Sequence, residues 1–154
     1  MLMNLLALFL LVAPLQFSVF KKEMSPLQTT VDSLVTSTGS QVMQKSHAAY
    51  IEGYGVTVNL EVAFVAPQGI FDTPKKPAEL RTLVAQRRKD VQEKLTAFVT
   101  QHVATTDSIG PSDSLAVVIH VMNTNPVDTP NLPVQIVMSA KKESPQQVSF
   151  HEYF

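Results

Sequence analysis

The sequence predicts an α+β fold: a small mixed β-sheet of about four strands packed against one long amphipathic helix, preceded by an N-terminal apolar segment. Three observations carry this. Apolar residues alternate strictly with small or polar ones from Tyr54 to Phe64, the period-2 signature of a half-buried strand. Leu80, Val84, Val91, Leu95, Phe98 and Val99 recur three, four or seven apart, which draws one apolar stripe along a helix. Two further apolar runs, Leu115 to Met122 and Val134 to Ala140, flank a turn-rich segment from Asn123 to Asn131, as hairpin strands do. A chain of 154 residues, 45% of them hydrophobic, suits one globular domain.

The first element is Leu2 to Phe20, 19 residues without a charge, within which Leu5 to Val12 is as apolar as the central region of a signal peptide. No Lys or Arg precedes this run, Pro14 follows Ala13 directly, and Ser18 offers a small-residue cut. Residues 1–20 are therefore expected to be a signal peptide or a membrane anchor. Lys21 and Lys22 lie beyond the run, so a retained anchor would place the domain on the cytoplasmic side by the positive-inside rule. With no Cys in the chain, a lipoprotein anchor is excluded.

Residues 21–48 are expected to be a helical or partly ordered linker. Leu27, Val31, Leu34 and Val35 have helical spacing, but the many Thr and Ser and a central Gly39 weaken the propensity. Residues 49–154 are expected to form the single α+β domain. Its first strand ends at Ala66-Pro67-Gln68-Gly69, and Pro77 and Glu79 suit the first turn of a helix running to about Ala104. Gly110 to Asp113 breaks the chain before Leu115 to Met122, which is apolar on both faces except at His120, the pattern of a central strand. A last short strand spans Gln147 to Tyr153. If the first two of these strands are parallel, the helix between them forms a right-handed crossover.

Through Gly53-Tyr-Gly-Val-Thr-Val-Asn-Leu-Glu-Val62 and Leu132-Pro-Val-Gln-Ile-Val-Met-Ser-Ala-Lys141, the chain resembles a group of exported bacterial proteins of unassigned function. In that group a Gly-x-Gly strand, a basic helix and a Leu-Pro-x-Gln-Ile-Val-Met strand occur in this order. The resemblance covers roughly Tyr50 to Lys142. It implies export and one compact domain, and it transfers no activity to any residue.

Composition narrows the chemistry. Twelve Lys and Arg against 13 Asp and Glu give a net charge of −1, far from the basic footprint of a nucleic-acid binder. Zero Cys excludes a disulfide framework, a thiolate zinc site, an iron–sulfur cluster and a cysteine nucleophile. Gly53 and Gly55 open a strand rather than a helix, so they do not form a dinucleotide fingerprint. No phosphate-binding loop, zincin motif or nucleophile elbow is present, and no cofactor is implied.

The remaining candidates are few. His120 and His151 would share a sheet face with Glu61 if their strands are neighbours. Alternation alone brings unrelated polar residues to one face, so no metal site is assigned to them. His102, near the helix C-terminus, would interact with the macrodipole as an imidazolium. Lys75 to Lys94 holds 7 basic and 3 acidic residues, and Arg81, Arg87, Arg88, Lys89 and Lys94 give a basic helix face that an acidic protein or a cell-envelope component could meet. The expectation is an exported or membrane-tethered, non-enzymatic binding or cell-envelope module. The alternative is a hydrolase-like enzyme using Glu61, His120 or His151, and a third reading is a tethered accessory subunit docking through its basic helix.

Overall fold

A computed structural model describes residues 20–69 and 72–154; the apolar segment up to Val19, with its expected signal or anchor role, lies outside them. Helix α1 covers residues 20–36. It is followed by β1 (Gln41–Ile51), β2 (Gly55–Ala63), α2 (Pro77–Thr105), β3 (Ser114–Val121), β4 (Gln135–Lys141) and β5 (Ser149–Tyr153). The strands lie side by side in chain order. Each neighbouring pair is antiparallel except β2 and β3, which are parallel and are connected through α2. The class is α+β, with a mixed sheet of five strands rather than about four, and two helices among the described residues rather than one.

Both differences arise in the segment expected to be a linker. Helix α1 forms despite its Thr and Ser content because Met24, Leu27, Val31 and Val35 are buried in the common core, and tertiary packing outweighs weak propensity. Its hydroxyls bond to carbonyls one turn back, Thr29 to Ser25 at 3.0 Å, Ser33 to Thr29 at 2.8 Å and Thr36 to Asp32 at 2.8 Å. From Gln41 onward the expected helix gives way to strand β1, whose register against β2 slips between Val42 and Gln44 and again between Gln44 and His47. At the second slip the Ser46 N–H donates to Asp32 Oδ1 at 3.0 Å and the Ser46 hydroxyl donates to the Gln28 carbonyl at 2.9 Å. Helix α1 thereby satisfies the groups that the bulge takes out of the ladder.

The inward face of the sheet is set by register. Val56, Val58 and Leu60 on β2 lie opposite Leu115, Val117 and Ile119 on β3, which lie opposite Ala140, Met138 and Ile136 on β4. Over this face α2 buries Leu80, Val84, Val91, Leu95, Phe98, Val99 and Val103, each contributing about 1.5–3 kcal/mol of transfer free energy. Pro77 occupies the first turn of α2, and Glu79 Oε2 accepts from the Lys76 N–H at 3.4 Å. Residues of α1, α2 and the sheet form one cluster, so both helices lie on the same side. Polar ties close this layer. Arg87 Nη1 donates to the Phe64 carbonyl at 2.7 Å. Lys142 Nζ donates to the carbonyls of Thr106 and Ile109 at 2.9 and 2.8 Å. Arg88 clamps Glu152 on β5 through both carboxylate oxygens.

Candidate functional site: the open face of the sheet

With both helices on one side, the side chains of opposite parity form a second face that no described helix covers. Register places Glu61 beside His120, His120 beside Gln135 and Gln135 beside Tyr153, with Gln44 next to Glu61 on β1. The row therefore crosses all five strands. The adjacent row runs His47, Asn59, Val118, Val137 and His151. Neighbouring strands lie about 4.8 Å apart, so five of them span about 19 Å. His47, His120, His151 and Tyr153 are exposed, while Glu61, Asn59, Val118 and Val137 are half-buried.

The structure places Glu61, His120 and His151 on this one face, but it brings only the first two together. Glu61 and His120 are register partners. His151 sits on β5, two strand spacings or about 10 Å from β3 and three from β2, which is beyond hydrogen-bond reach of Glu61. The ion pairs among the described residues are Arg88–Glu152, Lys89–Glu93 and Lys141–Glu143, none involving these three candidates. Among the described residues no group of three or more His, Asp or Glu side chains is arranged to hold a metal.

Two depressions among the described residues lie elsewhere. One is an open groove of about 1020 Å³ along α2, lined by Lys89, Glu93, Thr96, Thr100, Ala104 and Gln146. The other is a pocket of about 10 Å³ among Phe64, Leu80, Asn123, Thr124 and Thr129, about the size of a single water. General acid–base or nucleophilic catalysis is favoured in a concave, water-excluding site. The open face instead presents a broad set of polar side chains, with one carboxylate, Glu61, in the row that crosses all five strands.

The basic face of α2 is partly spoken for. Arg87 and Arg88 turn back toward Phe64 and Glu152, and Lys89 approaches Glu93 at 3.8 Å; Arg81 and Lys94 stand in solvent. His102 lies in the last turn of α2, near the helix C-terminus as expected. Its ring packs on Phe98 with centroids 4.4 Å apart, and burial pulls its pKa below the ordinary 6.5, which favours the neutral ring over the imidazolium.

A second cluster, at the end of the sheet where β1 meets β2, had no sequence signal because its members are far apart in the chain. Tyr50 Oη donates to Asp113 Oδ2 at 3.1 Å, and this bond to a carboxylate raises the Tyr50 pKa above 10.0. Glu23 accepts from the Ser108 N–H at 3.0 Å and from its hydroxyl. Comparison with known protein families, with curated protein sequences and with solved structures gave no match. Among the described residues no helix is long and apolar enough to cross a membrane.

Proposed function

We propose that this chain is an exported or membrane-tethered bacterial domain that acts by binding rather than by catalysis, and that the open sheet face is its contact surface for a protein or cell-envelope partner. The observation that carries this reading is the one-sided packing: both helices serve one face, while Gln44, Glu61, His120, Gln135 and Tyr153 cross the other. Export or tethering is supported by the charge-free Leu2 to Phe20 and by the resemblance to exported bacterial proteins. The open face is preferred over the basic helix because Arg87 and Arg88 are engaged within the fold.

The test is co-sedimentation of the purified protein with isolated bacterial envelopes. A His120→Ala, Tyr153→Ala double variant changes two exposed side chains and should lose retention, whereas Arg81→Glu with Lys94→Glu should keep it. The reverse pattern would move the contact to the basic helix and favour the accessory-subunit reading. The hydrolase-like alternative retains one observation, the register pairing of Glu61 with His120. It predicts turnover of a simple ester or peptide that Glu61→Gln and His120→Ala both abolish.

A further inference from the structure

The described chain begins at Phe20, the last residue of the charge-free stretch Leu2 to Phe20. Four residues on, Met24 is 4% exposed and already belongs to the core. Four helical residues rise only about 6 Å, so almost no chain separates the apolar stretch from the packed domain. The Phe20 ring meets the Tyr50 ring edge-on, with centroids 6.3 Å apart. That contact holds the turn between β1 and β2 beside the first described turn of α1. The turn exposes Tyr50 by 46%, Ile51 by 49% and Tyr54 by 38%, and Lys21 and Lys22 are exposed next to it.

Tyrosines, an aliphatic side chain and lysines that extend their stems are the chemistry of the membrane–water boundary. We propose that the end of the domain formed by Phe20, Lys21, Lys22, Tyr50, Ile51 and Tyr54 rests on the headgroup layer of a phospholipid bilayer. This inference builds on the tethered form of the reading above. A bilayer that holds residues 2–20 lies within about one helical turn of the core, so the domain sits against the lipid instead of hanging from a leash. Glu23, Glu52 and Asp113 offset the lysines at this end, which makes the contact one of aromatic and aliphatic insertion and not of net charge. The open face then stands upright on the membrane, with its strands running away from the lipid.

The sequence has no Trp, so single tryptophans report depth without background. Full-length Ile51→Trp and Val127→Trp proteins would be reconstituted into phosphatidylcholine vesicles containing lipids brominated just below the headgroup. Val127 is 90% exposed in the β3–β4 connection, separated from the lipid-facing end by the eight residues of β3, about 26 Å. Fluorescence at position 51 should be blue-shifted and about threefold more strongly quenched than at position 127, and raising the salt should leave it unchanged. Tyr54→Trp serves as a second reporter, and far-UV circular dichroism checks that each variant is folded. Equal, weak quenching in protein that floats with the vesicles would overturn the inference while leaving the tether intact. Protein that stays out of the vesicles in every variant would overturn the tethered reading and this inference with it.

Discussion

Replacing Gly55 by Ala tests the seam between β2 and β3. Gly55 has φ 120°, a backbone region that side chains other than glycine rarely enter. A Cβ there would lie 2.7 Å from the Ser114 backbone nitrogen, and closer still to the Ser114 carbonyl oxygen. Ser114 is the register partner of Gly55, so those atoms cannot retreat without opening the start of the parallel ladder. Gly53, two residues earlier in the same turn, has φ 77° and nothing within 4 Å of its would-be Cβ. Gly53→Ala should therefore cost backbone strain alone, about 1 kcal/mol. Gly55→Ala adds the backbone collision and should cost about 3 kcal/mol or more. The difference of about 2 kcal/mol corresponds to about 4–8 °C in Tm for a chain of this size. Urea unfolding followed by far-UV circular dichroism would read it as a shift in midpoint at constant slope. Equal shifts for the two variants would refute the steric account and reduce both positions to simple turn glycines.

Asp32→Ala removes the acceptor for the N–H of Ser46, a residue only 5% exposed, and should cost about 1–3 kcal/mol. Hydrogen exchange should speed up along β1 before the rest of the sheet, and Asp32→Asn, which keeps an acceptor, should restore part of the loss. For His102, burial lowers the pKa of the folded state below 6.5, so on acidification the unfolded chain takes up the proton first. Its contribution is complete above about pH 6.5 and declines as the pH falls from there toward the folded-state value. His102→Phe should flatten that part of the stability profile in thermal melts across this range; an unchanged slope would assign the acid sensitivity to other groups.

Much of this architecture is legible in the residues themselves. The alternation from Tyr54 to Phe64, the helix expected from Pro77 to about Ala104 and the two runs around Asn123 to Asn131 correspond to β2, α2, β3 and β4, and the ends agree within one or two residues. Strand β1 was not legible, because two register slips destroy the period-2 pattern in Gln41–Ile51. Nor does that segment advertise its pairing through large apolar residues: one of its most buried side chains is Ser46. Helix α1 could be read only in part, since its stability comes from burial of Met24, Leu27, Val31 and Val35 against distant strands and not from local preference. Alternation could nominate Glu61, His120 and His151 for a common face, but only the strand order decides that two of them are register partners and the third stands apart. The Tyr50–Asp113 bond joins residues in different halves of the chain and leaves no local trace.

The single parallel pairing has a consequence for how the molecule comes apart. Strands β1 and β2 are joined by a tight turn, and β3, β4 and β5 follow one another as a meander, so each group assembles from contacts close in sequence. The ladder from Gly55–Ser114 to Val62–Val121, with α2 laid across β3 and β4, is the strand pairing that fuses the two groups. Closing that ladder requires ordering the whole connection through α2, which makes it the slow, non-local step. Once closed, it is the line along which cooperativity passes between the halves, and the amides of β2 and β3 are the last that the folded protein should surrender to solvent.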